Sequence, residues 1–439
     1  MGIKGISILM ALLVTGLGAS AQEPFTVSAA IRKAWRDQAG LKAGRSLAEV
    51  KREEASGLQA LRLPSLTLQA QGIRTDEPML AFGMKLNQSR INAMDFNPSS
   101  LNRPDPITGF GGSAVVQQPL YAGGRLTAAR WAGEYAARAE SASQERREQE
   151  TAMAVVEAYF GAQVAEQALV WVRDTRTWIQ GMEAFVGARV QQGLMLESEQ
   201  QRLRATHAQV DAQEADVLRQ ARTARSGLGL LTGGAPVDGP LATPLAAEPA
   251  DARIAEAHPL RSDLQAAHYQ AQAANQAAKA AAGSLRPEVG LELGLGTMRQ
   301  SWNQGGNWNW AAVGVKWKVF SAPDRSKAQA ANAQARAAGE LRSFKQQQAE
   351  HEVRVAREGV IAAEARCTSS KAGLIAAEES RRLREARHRE GLTPLTDVLD
   401  AEAAAQGART LLLQSLYDLR ISRAAMDLAT GAPIEGVTP

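Results

Sequence analysis

No proline interrupts the chain between Tyr121 and Gly234. This stretch of more than one hundred residues is rich in Ala, Gln, Glu, Arg and Leu, which favour helix. It far exceeds the ordinary helix of about 11–12 residues, and a helical pattern of that length without breakers points to a coiled coil. The apolar spacing agrees. Met153, Val156, Phe160 and Val164 step by 3, 4 and 4, and Val172, Ile179, Met182, Val186 and Val190 continue the stripe. Leu203, Val210, Val217, Ala224 and Leu231 step by seven, as do Val398, Ala405, Leu412, Leu419 and Met426. A sustained seven-residue step makes helices pack side by side and supercoil. At about 1.5 Å per residue, a helix from Gly124 to Gln191 reaches on the order of 100 Å.

Two regions alternate with period two instead. Leu66, Leu68 and Ala70 alternate with Ser65, Thr67 and Gln69, and Ser113–Leu120 follows as the partner strand. Val289, Leu291, Leu293 and Leu295 alternate with polar or glycine positions, and face Val313, Val315, Trp317 and Val319. Strands of about 9–11 residues, apolar on one face, are what a transmembrane β-barrel requires. An amphipathic sheet in a soluble protein shows the same alternation. Trp302, Trp308, Trp310 and Trp317 lie in or beside the second hairpin, where an aromatic girdle at a barrel interface is expected.

The chain reads as an internal duplication. Leu63-Pro64 matches Arg286-Pro287 at an offset of 223, Tyr121 matches Phe320 at 199, and Arg125 matches Arg325 at 200. Gly193-Leu194 matches Gly391-Leu392, and Leu231-Thr232-Gly233 matches Ala429-Thr430-Gly431, both at 198. The one large change of offset gives the first hairpin about 24 extra residues, within an Asp76–Gly112 stretch rich in Asn, Pro and Gly that reads as a long loop. Each repeat is helix, strand, loop, strand, long helix, tight turn, long helix. Residues 22–240 form the first and 241–439 the second. Single-chain outer-membrane barrels start at eight strands, and open edges cannot sit in lipid. Four strands per chain therefore demand a homo-oligomer.

Residues 1–21 read as a secretory signal peptide, with Lys4, an apolar run over Ile6–Gly18 and the small-x-small site Ala19-Ser20-Ala21. No other stretch approaches 18 uninterrupted apolar residues, so no transmembrane helix is expected in the mature chain. A formal net charge of +4 gives no argument for nucleic acid. Cys367 is the single cysteine, which excludes an intrachain disulfide framework and a multi-cysteine zinc site. The five histidines lack metal-ligand spacing, and neither a phosphate-cradling glycine loop nor a nucleophile-base-acid set is present. No cofactor, metal or catalytic residue is expected.

Several motifs, in order along this duplicated frame, resemble the TolC-like outer membrane efflux family. Gln118-Pro119-Leu120-Tyr121-Ala122-Gly123-Gly124-Arg125 is similar to its strand-to-helix junction. Gln192-Gly193-Leu194 and Glu390-Gly391-Leu392-Thr393 resemble its periplasmic tips, and Asp397-Val398-Leu399-Asp400-Ala401 resembles the stretch just after the second tip. The resemblance covers essentially the whole mature chain. It implies a mainly α fold with a small β part. Long coiled-coil hairpins of three chains form an α-barrel in the periplasm, and four strands per chain complete a 12-stranded barrel in outer-membrane lipid. It further implies a periplasmic adaptor (membrane fusion) protein and an inner-membrane transporter of the RND or ABC type as partners. The chain is then a passive exit duct. The same channel could serve type I protein secretion; a periplasmic adaptor is a third reading, against which the duplication and the signal peptide argue.

By that resemblance Asp397 and Asp400, at i and i+3 on one helix face, are inward-facing carboxylates of the periplasmic aperture. Acids at a helix N-terminus are also favoured by its dipole, without any pore. Glu199 is the matching acid of the first repeat, beside Ser198. His388 and Thr393 fall where relatives carry latch residues such as a tyrosine and an arginine. Thr393 cannot form a salt bridge, so Arg389 or Arg387 is the substitute, with His388 and Ser198 as further latch candidates. Gly193, Leu194, Gly391, Leu392 and Thr393 are the expected adaptor contacts, although glycine at such turns is also expected on backbone grounds alone.

Overall fold

The computed structural model describes residues 25–234, 236–237, 239–246, 261–301 and 303–438. The signal peptide expected over residues 1–21, and Trp302, lie outside the described residues. The elements in order are α1 (Val27–Asp37), α2 (Ala39–Ala60), β1 (Ser65–Thr75), α3 (Pro78–Asn87), α4 (Pro98–Asn102), β2 (Ile107–Ala122), α5 (Arg125–Gln191), α6 (Glu197–Leu231), α7 (Ser262–Gly283), β3 (Glu288–Ser301), β4 (Gln304–Lys316), α8 (Ala322–Arg389) and α9 (Leu395–Thr430). The long helices match in pairs: α5 has 67 residues and α8 has 68, α6 has 35 and α9 has 36. No described helix is long and apolar enough to cross a membrane. The chain forms two compact units.

One unit holds the described residues of 25–34, with most of α1, and those of 154–246 and 365–421. Its core is the seven-residue stripe. Val172, Ile179 and Val210 form one buried cluster, and Met182, Val186, Leu203 and Leu395 a second. Phe25 and residues 241–243 are fastened to α5 here. The Tyr159 hydroxyl donates to the Phe25 carbonyl at 2.7 Å and accepts the Thr243 amide at 3.0 Å, and Gln163 donates to the Leu241 and Thr243 carbonyls.

The other unit holds the described residues of 35–153, 261–364 and 422–438. Its four strands form one antiparallel sheet in the order β1-β2-β3-β4. β1 pairs from Ser65↔Gln117 to Thr75↔Ile107, and β3 pairs β4 from Glu288↔Lys316 to Ser301↔Gln304. The register between β2 and β3 slips between Pro119 and Tyr121, where proline has no amide to donate. β1 and β4 each leave one edge open among the described residues.

Alternation along the strands assigns the faces. Leu66, Leu68, Ala114, Val116, Leu291, Leu293, Leu295, Val313 and Val315 share one face through the pairs Leu66↔Val116, Leu68↔Ala114, Ala114↔Leu295, Val116↔Leu293 and Leu291↔Val313. That face is uncovered: Leu68 is 74% exposed and Val315 71%. The opposite face carries Gln69, Gln71, Ser113, Gln117 and Glu292.

Two expectations are corrected. Trp308 and Trp310 belong to no girdle on the leucine face. They pair with Gly296 and Gly294, so they stand on the polar face, and a Cβ at either glycine would overlap the indole. The reason is parity, since Trp308 and Trp310 alternate with Val313 and Val315. Trp317 lies just past β4, its indole donating to the Leu285 carbonyl at 3.2 Å. The 76–112 stretch is also not a plain loop. It contains α3, a 3-10 turn over Ala93–Phe96, α4 and the start of β2. Asn92 and Asp95 cap the 3-10 turn reciprocally and Asn97 caps α4, which the turn-forming composition concealed.

At the end of α9, burial pushes the Asp427 carboxyl up to about 6 from its ordinary 3.8, with Glu435 adding repulsion. A raised carboxyl contributes stability that is present below 3.8 and lost as pH rises through about 6. Asp427→Asn is therefore expected to raise the melting temperature at pH 7.5 and to lose that advantage below pH 4, as thermal unfolding at both pH values would show. An equal shift at both would remove ionisation of Asp427 as the cause.

Candidate functional site

The two hairpin tips are built alike, atom for atom. α5 ends where Gly193 takes a left-handed conformation (φ 72°), and α8 ends the same way at Gly391 (φ 78°). The amide of Gly193 donates to Val190 and that of Leu194 to Arg189, both at 2.9 Å; Gly391 donates to His388 and Leu392 to Arg387, again at 2.9 Å. The six-to-one closure with glycine in the left-handed position is how a helix satisfies its last carbonyls. Each new helix opens with Glu199 donating to Leu196 at 3.1 Å and Asp397 to Pro394 at 3.2 Å. Every donor and acceptor is displaced by 198 residues between the tips. Leu194 and Leu392 are 63% and 71% exposed, and nothing lies within 4 Å of a Cβ at either glycine. The turns thus present bare leucine and glycine surface.

Asp397 and Asp400 lie in the first two turns of α9, the former half-buried and the latter exposed. The backbone carbonyl of Asp397 accepts from Arg384 at 3.3 Å, and no described residue pairs with either carboxylate. Glu199 is half-buried and Ser198 exposed at the start of α6.

His388 and Thr393 are brought together within one turn. The Thr393 carbonyl lies 2.7 Å from His388 Nδ1, so that nitrogen donates, and the ring is only 2% exposed. Its edge meets Phe185 at 6.2 Å. Arg389 pairs back to Glu385 at 2.7 Å, and its carbonyl accepts from Arg189 at 3.4 Å. Both arginines lie over the Phe185 ring. Within one chain, none of His388, Arg389 and Ser198 bonds to another of the three, nor does any bond to Glu199.

Above the tips lies a buried polar cluster that the sequence reading missed. Glu402 of α9, 5% exposed, accepts from the Thr175 hydroxyl of α5 at 3.0 Å. Arg381 of α8 approaches its other oxygen at 3.4 Å and Arg409 of α9 lies at 3.7 Å. The cluster extends through Arg381 to Glu385, which accepts from the Trp178 indole at 3.1 Å, and through Arg409 to Glu378 at 3.2 Å. Burial pushes the Glu402 carboxyl up; the Thr175 hydroxyl and the two arginines oppose that. The signal was present: Val398, Glu402 and Ala405 step by 4 and 3, placing an acid inside the α9 apolar stripe. Among the described residues no cluster of His, Cys, Asp and Glu could hold a metal ion.

Paired long-helix hairpins and a four-stranded sheet, with open edges and an uncovered apolar face, define a chain built to complete a barrel in lipid with other copies. The sequence profile of the family described as outer membrane efflux protein matches residues 31–234 and 254–432. The chain belongs to that family, and it is an outer-membrane efflux channel with no catalytic step. The fold is similar to solved outer-membrane proteins. Against VceC from Vibrio cholerae, the TM-score is 0.79 at 18% identity, covering 93% of this chain and 96% of that one. CmeC from Campylobacter jejuni gives 0.77 at 14%, covering 94% and 87%, and the open-state channel MtrE from Neisseria gonorrhoeae gives 0.76 at 18%, covering 94% and 90%. No curated protein matches the sequence significantly.

Proposed function

We propose that three copies of this chain assemble into a 12-stranded outer-membrane barrel continued by helical hairpins, forming the exit duct of a tripartite efflux system. The observation that carries the assembly is the open-edged four-stranded sheet with its exposed leucine face. Unpaired backbone groups at β1 and β4 cannot remain in hydrocarbon, so neighbouring copies must pair them. The signal peptide over 1–21 and the two repeats, 22–240 and 241–439, are part of the same reading; the two matched profile stretches support the division.

In the assembled duct, rings of Asp397 and Asp400, joined by Glu199, form the periplasmic aperture and favour cations. The placement of both aspartates in the first two turns of α9, directly after the second tip, with Asp400 exposed, supports this role. Arg389 is the latch candidate with reach toward a neighbouring copy, because His388 is occupied by its own turn. The exposed tip residues Gly193, Leu194, Gly391, Leu392 and Thr393 meet the adaptor hairpin, and an RND or ABC transporter supplies cargo.

The purified protein is expected to run as a heat-modifiable trimer and to give cation-selective channels in planar bilayers. Asp397→Asn with Asp400→Asn is expected to lower that selectivity. Recovery in the soluble periplasm with no channel activity would overturn the duct; unchanged selectivity would overturn the aperture assignment alone.

A further inference from the structure

The inference concerns α3 and rests on the channel reading above. α3 opens with Pro78 in its first turn and closes at Ser89, a non-glycine residue in the left-handed region (φ 55°), where the Arg90 amide donates to the Lys85 carbonyl at 3.0 Å. It lies flat against the sheet. Ala81 and Met84, 1% and 2% exposed, pack on Ile107 and Ile73. The approach is permitted by glycine. A Cβ at Gly109 would lie 2.5 Å from Met84 Cε and 2.9 Å from Met298 Sδ, and one at Gly306 would lie 2.5 Å from the Asn87 carbonyl oxygen. Gln88, 1% exposed, donates to the Thr108 carbonyl at 3.1 Å. The following segment braces the helix: Lys85 pairs with Asp95 at 2.8 Å, and Phe82 meets Phe96 edge-on at 5.9 Å.

The face decides what this means. Ile73 pairs with Gly109, Gly111 with Met298, and Met298 with Gly306, all on the face opposite the leucines. When the leucine face meets lipid, this face lines the lumen. The 76–106 connection also lies at the end of the sheet away from α2 and α5, which is the outer end of the passage. The free side of α3 and its brace is apolar: Met79 is 82% exposed, Leu86 52% and Phe96 59%.

We propose that α3 is a fixed collar inside the outer mouth, narrowing the passage and setting the size limit of what leaves. Three copies surround the axis, and Met79, Leu86 and Phe96 present a surface that hydrated ions wet poorly. The Lys85–Asp95 pair keeps the only nearby cation on the helix neutralised.

Two variants test this in planar bilayers. Replacing residues 77–106 with a short Asn-Gly turn is expected to raise single-channel conductance about twofold or more, and to admit larger polymers in a size-exclusion assay. Met79→Cys, labelled with a bulky thiol reagent, is expected to lose about half its conductance or more. The wild type under the same reagent controls for Cys367, which is buried. Unchanged conductance after complete labelling overturns the collar, even if the shortened chain fails to assemble. If the wild type forms no channel, the efflux-duct reading fails instead.

Discussion

Alanine at Gly123 is expected to remove most of the folded protein, whereas alanine at the adjacent Gly124 is expected to be tolerated. Both glycines have positive φ, 61° and 83°, so each substitution costs about 1–2 kcal/mol in backbone conformation. The surroundings separate them. A Cβ at Gly123 would overlap the Gly283 carbonyl oxygen and lie 2.6 Å from Arg286 Cβ, where the end of α7 meets the start of α5. At Gly124 the nearest atom is at the far end of the Arg286 side chain, 3.9 Å away and in ordinary van der Waals contact. Overpacking against backbone adds about 1–3 kcal/mol, and the sum is a large share of the 5–15 kcal/mol that holds a typical fold. Thermal unfolding and the yield of heat-resistant oligomer would measure both variants. Equal losses would mean that backbone conformation, not the crowded junction, sets the requirement.

Arg381→Met is expected to be the most damaging substitution near the tips. It leaves the Glu402 carboxylate buried without its cross-helix cation, with Thr175, Gln406 and the more distant Arg409 still beside it. Removing one partner of a buried pair costs about 3–5 kcal/mol, and the lower end applies because those contacts remain. Burial already holds the carboxyl above its ordinary 4.5. A raised carboxyl contributes stability below that ordinary value and loses it as pH rises through the folded-state value. Loss of Arg381 raises the folded-state value further. The melting deficit should therefore be widest at pH 7.5 and narrow below pH 4.5, and Glu402→Gln added to Arg381→Met should recover most of it. A deficit independent of pH would show that the arginine stem, not its charge, matters.

What could be read from the residues follows the range of the forces involved. The stripe Val172–Ile179–Val186 and the repeats at Leu203 and Val398 were legible because helical packing writes a local period into the chain. The strands at Leu66 and Val289 were legible for the same reason, with period two. The matching tips were legible because glycine at the left-handed position is a local backbone demand. Trp308 and Trp310 lie close to the apolar strand residues along the chain, but strand parity, itself a local feature, turns them to the polar face. α3 is not legible locally because a ten-residue helix gains its burial from Ile107 and Ile73 on the strands, outside its own span. Glu402 could be seen as an acid in an apolar stripe, but its partners Thr175 and Arg381 come from other helices, and no spacing within α9 names them.

The open edges of β1 and β4 also govern how the protein behaves in mixtures. A barrel that closes only when three chains meet, as proposed, makes membrane insertion and chain association a single event. Its rate then depends on local concentration, and a lone copy has no stable place in the bilayer. Poisoning follows from the same arithmetic. If half the chains in a cell carry a defective strand edge, random association leaves about one complex in eight free of any defective member. Loss-of-function alleles at either edge should therefore be dominant in merodiploid cells, while alleles that prevent a chain from associating at all should be recessive.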